Sequence, residues 1–148
     1  MPGAFVDTNI LLYAVSHHPA ERAKSVRAQE LLLSEDIHLS VQVLQEFYVN
    51  AIHPRKLAYT KAEAVAICEV WMEFPVAALT VETFVRALAL SARFGLSLWD
   101  GTIIAAAQGL NCANLYSEDF NHGQDYGGVR VINPFRPSQT ERERQTLL

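Results

Sequence analysis

The chain has 148 residues, a formal net charge of −4, a hydrophobic fraction of 50% and a charged fraction of 19%. This length suits one domain, and the apolar fraction allows a sizeable core, which excludes a mainly disordered chain. With only two cysteines and seven glycines, a disulfide scaffold and a collagen-like fibre are also excluded. An acidic chain is not expected to carry a large basic surface for nucleic acid.

Nothing in the sequence predicts export or insertion into a membrane. Asp7 interrupts the apolar N-terminal residues, so no signal peptide is expected, and no apolar run approaches the length of about 18 residues that indicates a spanning helix. Cys68 and Cys112 are far apart, and neither they nor the five histidines have zinc spacing. We therefore expect a cytoplasmic protein with two free thiols and no zinc site.

The first half of the chain predicts strands that alternate with helices. The expected elements are a strand at 3–7, helices at 9–15 and 20–34, a strand at 37–39 and a helix at 41–52 that Ser40 caps. The apolar positions of the second helix are Ala23, Val26, Leu31 and Leu33. The helix at 41–52 is expected to face the core with a stripe of apolar residues at spacings of three and four, namely Leu44, Phe47, Tyr48, Ala51 and Ile52.

The second half continues the same alternation. Thr60 and Glu63 form a capping box for a helix that reaches about Phe74. Because this helix is apolar nearly all round, it is expected to be buried on more than one side, by this chain or by another. The remaining elements are a strand at 76–79, helices at 81–95 and 99–109, and strands at 114–116 and 129–132.

This alternation predicts a single α/β domain, with a mostly parallel central sheet of about five strands flanked by helices. The domain is expected to span residues 1–137, and residues 138–148 are expected to form a frayed tail. In such a sheet, functional groups collect at the carboxyl ends of the strands.

Four carboxylates are placed to meet at that edge. Asp7 ends the first strand, Asp119 follows the fourth, and Asp100 and Glu46 lie near the starts of two helices. Crowded carboxylates repel one another unless a cation compensates them, and an all-oxygen ligand set favours Mg²⁺ or Mn²⁺. Such a site suits phosphoryl transfer. Since these acids account for the whole net charge of −4, an anionic substrate would approach only after a metal ion is bound.

Each acid also has a purely structural interpretation. Asp7 could cap the first helix, Asp100 could serve only a capping box with Ser97, and Asp119 could close an Asx-turn. Glu46, on the flank of a helix, could simply be solvated. Only their joint placement favours a site.

Four segments resemble the motifs of the PIN-domain ribonuclease family, in the order and spacing of that family. They are Val6–Ala14, Gln45–Phe47, Leu98–Ala107 and Tyr116–Gln124, the last in the form common among VapC-type toxins. The segment Val129–Phe135 is similar to the last strand of those toxins, so the resemblance covers nearly the whole chain.

The resemblance implies a PIN-like fold and a metal-dependent endoribonuclease, the toxin of a type II toxin–antitoxin pair. The family's catalytic acids map onto Asp7, Glu46, Asp100 and Asp119, with Thr8, Asn9 and Ser117 as supporting residues. The resemblance places Mg²⁺, or Mn²⁺, on Asp7 and Asp100, with Glu46 and Asp119 as further candidate ligands. Glu118 adjoins the fourth acid, and in an extended segment one of two neighbours points away; the family spacing after Ser117 favours Asp119.

The family also suggests an RNA substrate, an inhibiting antitoxin protein and a homodimer, with no membrane involved. The helix at 60–74 is the candidate for a protein contact, and it could equally be a plain core helix. RNA contacts could use Arg22, Lys24 and Arg27, or His53, Arg55 and Lys56. Both basic clusters could also be ordinary solvated surface.

Other α/β classes fit less well. A phosphoaspartate receiver needs paired acids at its first strand and a lysine near its last, whereas Thr8 and Asn9 follow Asp7. A haloacid-dehalogenase phosphatase needs an aspartate in place of Asn9. A nuclease that acts in RNA maturation or on DNA, and a non-catalytic binding module of the same fold, both stay open as alternatives.

Overall fold

The computed structural model describes residues 3–137 and Thr146, so the predicted tail at 138–148 otherwise lies outside the described residues. The strands are β1 (Ala4–Val6), β2 (Ile37–Ser40), β3 (Val76–Ala77), β4 (Asn114–Tyr116), β5 (Asp125–Tyr126) and β6 (Val129–Ile132). The α-helices are α1 (Thr8–Ala14), α2 (Arg22–Ser34), α3 (Val41–Ile52), α4 (Lys61–Trp71), α5 (Val81–Phe94) and α6 (Leu98–Gly109), and a 3₁₀ turn (Pro19–Glu21) precedes α2.

The strands form one sheet in the order β3-β2-β1-β4-β6-β5. All neighbouring pairs are parallel except β5 and β6, which are antiparallel. The predicted α/β domain with a mostly parallel sheet is therefore confirmed. The sequence analysis missed β5, although Gly127 and Gly128, at φ 64° and 96°, form the Gly-Gly pair that favours a tight hairpin turn.

The core lies between the sheet and the helices, and β1 runs through its centre. Phe5 and Val6 of β1 are fully buried. The α3 helix contributes Val43, Phe47 and Ala51, which are four residues apart and also fully buried. This spacing places the three side chains on one face of the helix, towards the core.

Most of the apolar side chains of α2 do not face the core. Among the four apolar positions named above, only Leu31 is buried, whereas Val26 and Leu33 are 47% and 89% exposed. The buried row is instead Ser25, Ala28 and Leu31, because α2 packs against α1 and two small side chains at three-residue spacing allow that approach.

The helices α4 and α5 both leave apolar side chains exposed. In α4, Ala64 and Trp71 are buried. Large apolar side chains are exposed at Val65 and Val70 of α4 and at Met72, the residue that follows it. In α5, Ala87 and Leu90 are buried, and the exposed large apolar side chains are Val81, Phe84, Val85 and Leu88. Burial of α4 by another chain stays a prediction. No described helix is long and apolar enough to cross a membrane.

A close contact between α5 and α6 fixes the start of α6. Gly95, in the left-handed conformation, ends α5, and Ser97 caps α6 two residues later. Gly101, in the first turns of α6, has no room for a side chain, since a Cβ there would lie 2.7 Å from the backbone oxygen of Ala87. This packing holds the neighbouring Asp100 at the carboxyl edge of the sheet.

Gly101→Ala should destabilise the protein by about 1–3 kcal/mol, because the added methyl group overpacks the α5–α6 contact. Gly109→Ala is the matched control in the same helix. The nearest atom to a Cβ at Gly109 is 3.9 Å away, and alanine favours a helix over glycine by about 0.5–1 kcal/mol. Urea unfolding measures both free energies; a Gly101→Ala protein as stable as the Gly109→Ala protein would contradict the packing argument.

Candidate active site

The parallel pairing of β1 with β4 places Asp7 beside Ser117. Val6 is in register with Tyr116, so the next residue of each strand lies at the same edge of the sheet. Ser117 Oγ donates a 2.8 Å hydrogen bond to Asp7 Oδ2, and the backbone N of Thr8 donates one of 2.8 Å to Oδ1. The Asp7 carboxylate, 6% exposed, therefore has a partner on each oxygen, and it also caps α1.

The first turn of α1 connects two further acids to this pair. Thr8 Oγ1 donates a 2.7 Å hydrogen bond to Glu46 Oε2. Asn9 Nδ2 donates to Asp119 Oδ2 at 3.0 Å and to Ser117 Oγ at 3.4 Å. The three residues predicted as supporting thus each bond to one of the predicted acids.

Asp100 reaches the same place from α6. The structure shows one half of its predicted capping box, a 3.1 Å hydrogen bond from the backbone N of Asp100 to Ser97 Oγ. The four acids, together with Thr8 and Asn9, line a single cleft of about 240 Å³. All four predicted acids are therefore brought together.

Glu118 does not line this cleft. Its carboxylate accepts a 2.8 Å hydrogen bond from Lys24 Nζ and another from the Tyr13 hydroxyl. The two neighbouring acids thus point in different directions, and Asp119 is the one that faces the cleft. The same contacts occupy Lys24, whose ammonium group also lies over the Tyr13 ring.

Gln42 is a site residue that the sequence analysis missed. It is 5% exposed, and its Nε2 donates to Glu46 Oε1 at 3.2 Å and to the backbone oxygen of Trp99 at 3.1 Å. It thereby links the Glu46 carboxylate to the start of α6. Its position four residues before Glu46, on the same helix face, was the available signal.

The cleft concentrates negative charge in a partly dry environment. Burial, with the nearby Asp119 and Glu46 carboxylates adding to it, raises the pKa of Asp7 to about 7, even though the bonds from Ser117 and Thr8 favour its charged form. Burial also raises the pKa of Asp100, with Asp119 and Glu46 again contributing. Lys56 also lines the cleft, but the acids have no bonded cation among residues 3–137.

The side chains fit a hard divalent cation that keeps part of its water shell. Within residues 3–137 no group of three His, Cys, Asp or Glu side chains is already arranged to hold a metal ion. However, every ligand candidate in the cleft offers oxygen, which Mg²⁺ prefers. Asn9 Oδ1 and Gln42 Oε1 are also buried without a hydrogen-bond partner, so they are available to accept hydrogen bonds from metal-bound water.

The fold and site define an α/β domain with a carboxylate-lined cleft at the carboxyl edge of a parallel sheet. The family model for the PIN domain matches residues 4–124. The chain belongs to the PIN domain family, which confirms the resemblance found in the sequence.

Several solved structures share this fold. A toxin–antitoxin complex from Klebsiella pneumoniae has a TM-score of 0.68 and 21% identity, and the match covers 90% of this chain and 99% of that one. VapC20 from Mycobacterium tuberculosis, described as a sarcin–ricin loop cleaving toxin, has a TM-score of 0.63 and 21% identity over 78% of this chain and 89% of that one. VapBC2 from Rickettsia felis, solved with a promoter DNA fragment, has a TM-score of 0.63 and 15% identity over 88% and 97%. No curated protein matches the sequence.

Without metal, the stability of the protein should fall as the pH rises from about 4 to about 7. The folded-state pKa of Asp7, about 7, lies above its ordinary value of 3.8, so the folded protein binds more protons than the unfolded chain between these values. Asp7→Asn keeps the helix cap and removes this titration. At pH 8 in EDTA it should be more stable than wild type, by an amount on the order of a few kcal/mol.

Urea unfolding in EDTA at pH 4 and pH 8 measures this difference. Glu69→Gln removes an exposed carboxylate of α4 and should keep the pH dependence of wild type. Equal pH dependence in the wild-type and Asp7→Asn proteins would show that the buried carboxylate is not the cause.

Proposed function

We propose that the protein is a metal-dependent endoribonuclease and the toxin of a type II toxin–antitoxin pair. The observation that carries the proposal is the convergence of Asp7, Glu46, Asp100 and Asp119 on one cleft in a member of the PIN domain family. PIN-domain nucleases are hydrolases that generally use divalent metal ions. The structural neighbours named as toxins support the toxin assignment.

Asp7 and Asp100 would hold the Mg²⁺ or Mn²⁺ ion, with Glu46 and Asp119 as further ligands. When bound, the ion would make water a stronger acid and would stabilise negative charge on the phosphate. Thr8, Asn9 and Ser117 hold the carboxylates in place through the hydrogen bonds described above, so the acids need little rearrangement when RNA binds. Together these groups would favour hydrolysis of an RNA phosphodiester bond.

A protein partner is part of the same proposal. The exposed apolar side chains of α4 and α5, such as Val70, Phe84 and Val85, are typical of surfaces that another protein covers. An antitoxin is supported by the structural neighbours solved as toxin–antitoxin complexes. A homodimer would cover such a surface as well. We place the protein and its RNA substrate in the cytoplasm.

The purified protein should cleave RNA with Mg²⁺ or Mn²⁺ and should stop in EDTA. Two neighbouring acids provide a matched pair of variants. Asp119→Asn should lose cleavage at least about a hundredfold, since it removes a charge from the cleft, whereas Glu118→Gln should stay near wild type because Glu118 bonds to Lys24 and Tyr13 instead. Gel analysis of RNA fragments measures the rates. Full activity in EDTA, or equal activity of the two variants, would contradict the proposed site.

The same pair tests the toxin assignment in a bacterial host. Expression of the wild type or of Glu118→Gln should slow growth, and expression of Asp119→Asn should not. Co-expression of an antitoxin encoded beside the gene should restore growth. Harmless expression of a folded wild-type protein would argue against a toxin while leaving RNA cleavage open.

Asp100 has two possible roles that predict opposite changes in stability. If Asp100 only stabilises the start of α6, Asp100→Asn should destabilise the metal-free protein by about 0.3–1 kcal/mol. If it is a ligand, the substitution relieves repulsion with Asp119 and Glu46, so the metal-free protein should be equally or more stable. Wild type should gain stability with Mg²⁺ by mass action, and the variant should lose most of that gain.

Thermal melts with EDTA and with excess Mg²⁺ separate the two roles. Glu82→Gln is the control, because Glu82 is an exposed acid in the first turn of α5 and should leave the Mg²⁺ effect intact. An Asp100→Asn protein that is less stable without metal, yet gains as much from Mg²⁺ as wild type, would make Asp100 a helix-capping residue only.

A further inference from the structure

One polar face of the α3 helix lines the acidic cleft and is hydrogen-bonded at its two ends to Trp99 and to Lys56. Gln42, Glu46 and Asn50 are four residues apart, so their side chains lie along the same face of the helix. Gln42 Nε2 donates to the backbone oxygen of Trp99 at 3.1 Å, and Asn50 Oδ1 accepts a hydrogen bond from Lys56 Nζ. Trp99 and Lys56 are thus tied to points about 12 Å apart along α3, with Glu46 between them.

The side chain of Trp99 is exposed, whereas its backbone is held in place by a hydrogen bond from Gln42. Its side chain is 68% exposed, whereas the other tryptophan, Trp71, is 7% exposed. Unlike the exposed apolar residues of α4 and α5, Trp99 lines the acidic cleft. Because Gln42 and the first turn of α6 hold its backbone, the indole ring offers a flat surface at the rim of the site, suited to stacking.

The opposite side of the cleft carries positive charge. Lys56 and Arg55 are exposed, and neither belongs to an ion pair within residues 3–137. The partner of Lys56 is the neutral Asn50 amide, so its charge is not neutralised. Both residues also line an adjoining cavity of about 360 Å³, which shares Asn9, Leu12 and Lys56 with the cleft.

We infer that single-stranded RNA crosses the cleft along α3, with a base stacked on Trp99 and phosphates bound by Lys56 and Arg55. This inference rests on the proposed ribonuclease function. It places the phosphodiester group between these contacts beside Glu46 and the other acids. An unpaired base is required because a paired base offers no free face to the indole, and stacking of this kind tolerates any base.

The inference is tested by binding of a fluorescein-labelled twelve-nucleotide single-stranded RNA, followed by anisotropy in Mg²⁺. The Asp7→Asn background is expected to keep the RNA intact, since it lacks one of the proposed metal ligands. In this background Trp99→Ala should weaken binding at least about fivefold, the effect of losing one stacked base, and Trp99→Phe should retain most of the affinity. Phe84→Ala, which removes an exposed aromatic ring of α5, should have no effect.

The salt dependence separates stacking from phosphate contacts. Each phosphate contact to a single strand contributes about 0.7 to the slope of log affinity against log salt. The double substitution Arg55→Gln, Lys56→Gln should therefore lower the slope by about 1.4, whereas Trp99→Ala should leave it unchanged. Lys61→Gln, at the exposed start of α4, is the control for loss of a cation.

Tryptophan emission reports the stacking directly. In a Trp71→Phe protein Trp99 is the only tryptophan, so under excitation selective for tryptophan RNA should quench the emission, and acrylamide should quench it strongly before RNA is added. A ring already shielded from acrylamide would mean that a second copy of the chain covers Trp99, which would overturn the inference. Unchanged RNA affinity of Trp99→Ala would overturn it as well.

The outcomes distinguish this inference from the proposed function. If wild type cleaves RNA while the Trp99 and Lys56 variants bind normally, the inference fails and the function stands. If these variants lose binding while wild type cleaves no RNA, the function fails and the RNA path stands. If the Asp7→Asn protein binds no RNA, the inference is overturned whatever the cleavage assay shows.

Discussion

The carboxylate of Asp7 is buried at the point where β1, α1 and β4 meet, and the arrangement of the site depends on that burial. A buried charge is unfavourable unless it is hydrogen-bonded. Here Ser117 and the backbone of Thr8 provide the bonds. The pairing of β1 with β4 places Ser117 beside Asp7, and Thr8 is the first residue of α1. The burial nevertheless raises the pKa of Asp7 to about 7, so the charged form of this carboxyl group is disfavoured in the folded protein.

The hydrogen bonds around Asp7 also determine where the other acids lie. Thr8 bonds to Glu46, and Asn9 bonds to Asp119, so the two residues that follow Asp7 position two further carboxylates. These bonds orient the carboxylates and do not neutralise them. The cleft is consequently organised by neutral donors and left negatively charged, which is the condition in which a divalent cation contributes most to stability.

The parts of this structure that depend on local pattern could be predicted from the sequence. Strands alternating with helices gave the parallel sheet, and the rule that strand ends meet at one edge brought Asp7 and Asp119 together. What the sequence could not predict depends on which surfaces meet. Val26 and Leu33 are apolar, yet both are exposed, whereas the small residues Ser25 and Ala28 are buried in the helix that packs against α1.

The direction of the Glu118 side chain and the role of Gln42 also depend on residues that are far away in sequence. Glu118 differs from Asp119 because Lys24 and Tyr13, far away in sequence, provide bonding partners for it. Gln42 matters because α6 starts beside it. The family spacing had favoured Asp119 over Glu118, and the i, i+4 spacing was a signal for Gln42. The bonding partners of both residues, however, come from distant elements that the local sequence does not reveal.

The two faces of the α3 helix have different roles, one in the core and one in the cleft. One face carries Val43, Phe47 and Ala51, all fully buried in the core, and the adjacent polar face carries Glu46 with Gln42 as its bonded neighbour. Since the core face fixes the rotation of the helix, it also fixes the direction of the acid. A substitution on the core face is therefore expected to disturb both stability and the site, whereas a substitution on the polar face can alter the site and leave the packing of α3 unchanged.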